Sequence, residues 1–245
     1  MFSICFMVLP FFYKEDIDAS VKDVVLDEDT SKHIVQVLRM QNGEQIQLTN
    51  GKGNLFTCEI TDNNRKRCAV TILQITSRQR VDKPEIPNIT IAISLIKNSS
   101  RFEWFLEKAA EIGVTDIIPL ICERTEKTAF KPERMKSILV SAMLQSQQTW
   151  LPILHEPVKF TKVVTTATHQ QKFIAHCIDA EKRSLSEMIN ESLSSKIILI
   201  GPEGDFTSAE VEEAVKNHFI AITLGQTRLR TETAGIVAST LLSLV

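Results

Sequence analysis

Several common chemistries are missing from this chain. Its 245 residues hold no Gly/Ser-rich tract and no repeat at solenoid spacing, which argues against linker-like and solenoid architectures. The five cysteines (Cys5, Cys58, Cys68, Cys122, Cys177) are scattered, odd in number and without a C-x-x-C pair. That pattern argues against a disulfide framework or a zinc ribbon and fits a reducing, cytoplasmic compartment. No metal-ligand spacing and no Ser-His-Asp arrangement is present, and His155, His169, His176 and His218 stand isolated as structural or surface residues. No metal is therefore expected. G-x-G-x-x-G and a P-loop lysine are also missing, so nicotinamide and P-loop readings are poor. No apolar run reaches membrane length. Residues 1–12 are apolar but lack a basic flank and a small-residue cleavage site, and Pro10 and Lys14 interrupt the run. An edge strand is the better reading there than a signal peptide, and no membrane partner is expected.

The charge balance carries no global footprint for nucleic acid: 28 basic against 30 acidic residues, net −2. A local patch on an acidic protein is still compatible with RNA binding. Residues 1–77 hold 8 basic and 10 acidic residues, leaving 20 of each for the remainder. Neither part is a polybasic arm. The composition, 43% hydrophobic and 24% charged, is that of a globular protein with ample chain for a core in one large or two smaller domains.

What is present organises itself in two parts. Residues 1–77 read as small and strand-rich, with candidate strands at 6–12, 21–26, 45–49, 55–60 and 68–75. Asn50-Gly51-Lys52-Gly53-Asn54 supplies hairpin-turn chemistry between two of them. A short helix over 29–38 carries His33, and Arg39 follows at its end. A compact barrel is the natural closure of so many short strands. Taken alone, His33 and Arg39 read as members of a solvated helix. Residues 77–88, charged and carrying Pro84 and Pro87, mark a domain boundary. From Ile89 onward strands and helices alternate, the pattern of a parallel α/β sheet. Strands are expected at 89–96, 115–121, 173–177, 197–200 and 220–224. Helices are expected at 100–111 from a Ser100–Glu103 capping box, then at 133–147, near 185–193, and from a Thr207–Glu210 capping box to about 217. A terminal apolar helix completes the run, and Gly113 stands where a helix C-cap glycine belongs.

Two loops concentrate the chemistry. Ile200 leads into Gly201-Pro202-Glu203-Gly204-Asp205-Phe206, and Leu224 leads into Gly225-Gln226-Thr227-Arg228-Leu229-Arg230-Thr231-Glu232-Thr233. Ligands of open parallel sheets sit beyond the carboxyl ends of the strands, and glycines there let backbone approach a ligand closely. The plain alternative is a tight strand-to-helix turn. If the two strands are neighbours, their ends lie side by side and form a backbone-lined pocket for a flat ligand such as adenine. Arg228 and Arg230 share a face if the loop is extended; alternatively they are solvated or pair with Glu232. A third loop, 122–127, places Arg124 in an exposed, charged turn.

Four motifs then match a known family in order: LEKAAEIGVTDIIPLICERTEK (106–127), Gln145-Ser146 followed by Leu151-Pro152, IGPEGDF (200–206) and LGQTRLRTETA (224–234). They resemble the RsmE family, 16S ribosomal RNA uridine-N3 methyltransferases of the SPOUT class. Residues 33–48 also resemble that family's PUA-like barrel, so the resemblance covers nearly the whole chain. It implies a PUA-like RNA-binding β-barrel over 1–77 and a SPOUT α/β domain with a deep trefoil knot over 78–245. Such a knot is an exception to the rule that chains do not thread loops. It further implies S-adenosyl-L-methionine as cofactor, 16S rRNA in the 30S subunit as substrate, and a homodimer.

Carried over by residue, Ile200, Gly201, Glu203, Gly204, Leu224, Gly225, Leu229, Arg230 and Thr231 hold the cofactor. His33, Arg39, Arg124 and Arg228 contact RNA, and Arg230 and Glu232 are the catalytic candidates. Three departures stand out. Gln148 and Trp150 replace arginines common in that stretch. Asp205 replaces a frequent glycine. Residues 1–6 precede the usual start, which falls at Met7. Rival readings are another SPOUT specificity, on tRNA or a different rRNA position, and a non-catalytic RNA-binding assembly factor.

Overall fold

The structure, a computed structural model, describes residues 9–77, 88–178 and 182–244. The start at Met7, residues 6–8 of the first expected strand and residues 78–87 of the expected boundary lie outside the described residues. The chain divides into two compact units, residues 1–82 with 143–150, and residues 83–142 with 151–245.

The first unit contains β1 (Phe11–Tyr13), β2 (Asp23–Val25), α1 (Glu28–Lys32), β3 (Gln45–Thr49), β4 (Asn54–Asp62) and β5 (Ala69–Ser77). The strands form one sheet in the order β1-β3-β4-β5-β2, antiparallel except for the β1–β3 pair. The order is open and the sheet makes a half-barrel, with register shifts in the β4–β5 ladder of the kind that bend strands. Alternate residues Ile46 and Leu48, then Phe56, Cys58 and Ile60, are fully buried, as a sheet with one wet face requires. Asp27 caps α1 by accepting from the Thr30 amide at 2.9 Å. The expected helix over 29–38 does not stay α-helical. His33–Val37 form a π-helical turn, with the Leu38 amide bonded to the His33 carbonyl at 2.9 Å. In that register Ile34 is buried while Val37 and Leu38 face solvent. Arg39 ends the turn in the left-handed region at φ 56°. Residues 143–150 join this unit at the turn before β4: the Thr149 carbonyl accepts from the Gly53 amide at 2.9 Å and from the Thr49 hydroxyl at 3.3 Å.

The second unit runs β6 (Asn88–Ser94), α2 (Ser99–Ile112), β7 (Asp116–Ile121), α3 (Pro132–Gln145, whose residues 143–145 count with the first unit), β8 (Ile153–Leu154), β9 (Val158–Lys159) and α4 (Phe160–Thr166). It continues with β10 (Gln171–Ala175), β11 (Arg183–Ser184), α5 (Leu185–Met188), β12 (Ser195–Ile200), α6 (Ser208–Lys216), β13 (Ile220–Thr223) and α7 (Thr231–Ser243). Its eight strands pair in parallel in the order β11-β13-β10-β12-β6-β7-β8, with β9 also on β7. Both faces are covered. Ile198 and Ile200 join Ile91, Ile93 and the α2 and α7 residues Phe105 and Leu242 in one cluster. Ile197 and Leu199 face the opposite way, against Phe160 and Val163 of α4 and Ala214 of α6. Continuous apolar strands are what burial on both faces demands.

The Thr207–Glu210 capping box forms as expected, and Gly113 closes α2 at φ 95°. The expected Ser100–Glu103 box does not: Asn98 caps α2 through the Ser100 amide at 3.0 Å, and Glu103 instead takes a bidentate Arg134 at 2.6 and 2.7 Å. A carboxylate offered a guanidinium fork gains more from it than from a single amide.

α7 packs against α2, β6 and β12. A Cβ on Gly235 would stand 2.7 Å from Phe105 Cε2 and 2.9 Å from Ile93 Cδ1, inside contact distance of two buried side chains. Gly235→Ala in an ordinary helix gains about 1 kcal/mol. Here we expect a loss of roughly 1–3 kcal/mol from overpacking, read as a lower midpoint in thermal unfolding followed by circular dichroism.

Candidate active site

Strands β13, β10 and β12 lie side by side and end together, with Ala175 of β10 in register with Ile200 on one side and Ile222 on the other. The two glycine-bearing strand ends, which would lie side by side if their strands were neighbours, are separated by β10. Sheet order in a parallel fold is set by crossover packing, which local pattern does not encode. The consequence is a cleft with three contributing strand ends instead of two.

Gly201 is buried directly after β12, and a Cβ there would stand 3.1 Å from Phe206 Cδ2 and 3.2 Å from the Phe206 amide. The loop must turn that tightly because Phe206, 1% exposed, inserts into the cluster beneath α4 and α6 and stacks at a tilt on Phe160, ring centroids 5.3 Å apart. Asp205 holds the turn in the left-handed region at φ 63°. Its carboxylate accepts from the Cys177 amide at 2.7 Å and the Phe206 amide at 2.8 Å, tying the β10 and β12 loops together. Gly204 sits under the Arg124 side chain, whose Nη1 donates to the Gly204 carbonyl at 2.7 Å. The Lys97 amide donates to Glu203 Oε1 at 3.1 Å, and the Glu123 amide to Glu210 Oε1 at 2.9 Å.

From the other side, Arg230 is the N-cap residue of α7, extended at φ −70° and ψ 157°, and makes no side-chain cap bond. The next residue, Thr231, is buried and donates its hydroxyl to the Gly201 carbonyl at 3.0 Å. Glu232 follows with a side chain 8% exposed; its Oε1 lies 3.7 Å from Arg101 Nε, and its Oε2 is buried without a hydrogen-bond partner among the described residues.

Two adjoining lobes open between these loops, of about 270 and 380 Å³, in the range of several hundred Å³ that small-molecule sites occupy. The first is bounded by Ile200, Gly201, Glu203, Leu229, Arg230 and Thr231. Leu224, Gly225 and Leu229 border the second, and Arg228, exposed, borders both. Gly204 borders neither lobe and serves as the seat of Arg124. His33 and Arg39 lie in the first unit, both exposed, with the His33 ring edge-on to Phe12 at 5.8 Å. The residues not foreseen are at the end of β10: Ala175 and Cys177 border both lobes, and His176 and Lys182 the larger one. The carboxyl-end rule applied to the strand expected at 173–177 would have found them. Cys122 is no nucleophile: burial, with Glu210 nearby, pushes its thiol up to about 12. Among the described residues no group of His, Cys, Asp or Glu is arranged to hold a metal.

The Thr231–Gly201 tie between the two glycine loops is testable. Thr231→Val keeps the shape but leaves the Gly201 carbonyl unpaired, and we expect roughly 1–3 kcal/mol lost, read by urea unfolding at an unchanged m-value.

Residues 83–243 match the family described as an RNA methyltransferase domain, and residues 26–73 the one described as an RNA methyltransferase PUA domain. The ribosomal RNA small subunit methyltransferase E of a Synechocystis species is 30% identical over 212 residues, which span 84% of this chain and 68% of that protein. A probable rRNA-methyltransferase of known structure from Porphyromonas gingivalis is 37% identical at a TM-score of 0.88, covering 96% of this chain and 98% of its own. The Neisseria gonorrhoeae ribosomal RNA small subunit methyltransferase E, solved bound to S-adenosyl methionine, is 30% identical at a TM-score of 0.83, covering 97% and 98%. The similarity thus runs along nearly the full chain, which belongs to the RsmE family, the ribosomal RNA small subunit methyltransferases E.

Proposed function

We propose that this protein transfers a methyl group from S-adenosyl-L-methionine to N3 of a uridine in 16S rRNA of the 30S subunit. The observation that carries the reading is the cleft at the ends of β10, β12 and β13, closed by the Thr231–Gly201 bond, in a member of the RsmE family. The residues present fit the cofactor: apolar Ile222, Leu229 and Ala234 flank the lobes, as a flat nucleoside requires, and Gly201 and Gly225 leave backbone accessible along their walls. Ile200, Gly201, Glu203, Leu224, Gly225, Leu229, Arg230 and Thr231 would hold it, with Gly204 contributing through the turn it makes. When bound, the cofactor supplies an electrophilic methyl group on sulfur.

The chain's own part is positioning and charge. N3 lies on the Watson–Crick edge, so the uridine must be unpaired or flipped out. Loss of its proton places negative charge on the uracil carbonyls. Arg230, exposed at the N-terminus of α7, adds its guanidinium to the positive end of the helix to stabilise that charge. Glu232, with one oxygen near Arg101 and the other unpartnered, is the candidate proton acceptor. The first unit would hold rRNA through His33 and Arg39, with Arg124 and Arg228 adding contacts from the second.

The finer architecture belongs to the same proposal. A trefoil knot is supported by the return of α7 past the 201–206 loop to lie across β12 and β6. A homodimer through that region is supported by Trp104 of α2, an exposed aromatic at 44% on a helix that packs on α7. A cytoplasmic location is supported by the free thiols of Cys58, Cys68, Cys122 and Cys177.

The experiment is methylation of unmodified 30S subunits with labelled S-adenosylmethionine, the product mapped by mass spectrometry to a single N3-methyluridine. Arg230→Ala should lose at least about 100-fold in rate measured at saturating cofactor, the scale of one transition-state charge contact. Full activity in that variant would remove Arg230 from the chemistry. Arg39→Gly separates RNA contact from folding. Glycine accepts the left-handed region at no steric cost, so the thermal midpoint should hold or rise while 30S binding weakens in a filter-binding assay.

A further inference from the structure

His176 is a buried polar side chain to which the proposed reaction gives no role. It follows Ala175 at the end of β10, is 8% exposed, and has neither Nδ1 nor Nε2 partnered among the described residues. Buried polar groups almost always have partners. The contrast with His169 is instructive, since that ring places Nε2 2.9 Å from the Thr90 hydroxyl. His176 borders the larger lobe beside Ile222, Leu224, Leu229 and Ala234, where a ligand is the available partner. Its backbone is fixed: Lys182 Nζ donates to the His176 and Ile178 carbonyls, each at 2.8 Å. Burial, then the Lys182 ammonium, hold the imidazole below its ordinary pKa against an opposing pull from Asp205. A neutral imidazole offers one donor and one acceptor. That pair, beside the flat apolar wall of Ile222, Leu224, Leu229 and Ala234, matches the donor and acceptor groups of a purine nucleoside; Lys182, also on this lobe, is engaged with two backbone carbonyls.

We propose that His176 hydrogen-bonds the adenosine portion of the cofactor, as a binding and positioning residue at the end of β10. The inference rests on the reading of the cleft as the S-adenosylmethionine site. Calorimetry on the full chain with S-adenosylmethionine, S-adenosylhomocysteine and 5′-methylthioadenosine tests it, because the third probe keeps adenosine and lacks the amino-acid end. His176→Leu should weaken all three by about tenfold and by a common factor, as loss of one buried hydrogen bond does. His176→Gln, which keeps a donor and an acceptor, should recover most of that loss. A leucine variant that binds all three like wild type overturns the proposal. So does one that weakens the first two and leaves 5′-methylthioadenosine unchanged, since the ring would then meet the amino-acid end. Wild-type protein that binds none of the three overturns the cofactor reading itself. Should the leucine variant fail to fold, the ¹⁵N shifts of the wild-type His176 ring decide. They should move on saturation with 5′-methylthioadenosine, and unmoved shifts overturn the assignment.

Discussion

α7 crosses β6 where Gly235 leaves no room for a methyl group between the helix, Phe105 and Ile93. Close packing at that point sets the height of the helix above the sheet, and so the place of its first turn. Thr231 can then reach the Gly201 carbonyl. Gly201 in turn leaves only tight space for a side chain, 3.1 Å from Phe206, which folds back under it into the core on the opposite face. The cleft is therefore held from both layers of the domain through one six-residue loop. A change of a single methylene at either end is felt at the site.

The acidic side chains around the cleft explain how a protein with more acid than base can serve a polyanionic substrate. Asp205, Glu203 and Glu210 each accept a backbone N–H from a different loop: Cys177, Lys97 and Glu123 respectively. These carboxylates are occupied in bracing, and a charged acceptor makes a stronger brace than a neutral one. Arg228 and Arg230 carry no such duty in the loop before α7 and stand exposed beside the lobes. The net charge of −2 thus says little about the sign of the surface a ligand meets.

How much was legible in sequence follows the range of the interactions involved. β3 was readable residue for residue because alternating Ile46 and Leu48 run into a glycine turn, and the Thr207–Glu210 box because both partners lie within one helical turn. Asn98 was overlooked as the cap of α2 because Asn-Ser-Ser offers three competing caps, and Arg134, 31 residues beyond Glu103, decided among them by taking its carboxylate. The two-residue strands β8 and β9 and the helix α4 carry too little periodicity to stand out. For the site, Gly201, Gly225 and Thr231 were visible from glycine placement and family resemblance. His176 was not, since an isolated histidine has no spacing signature and its meaning depends on β10 lying between β12 and β13.

That interposed strand also has a bearing on biosynthesis. β6, β10 and β12 are translated before β13 and the loop leading to α7, so most of the apolar sheet exists before the last wall of the cleft does. A nascent chain presents no complete surface to a ligand, and leaves one face of its sheet uncovered, until Ala234 has been made and α7 has docked. A molecule able to bind has therefore finished folding in that region, and the ligand, by binding only that state, holds it there by mass action.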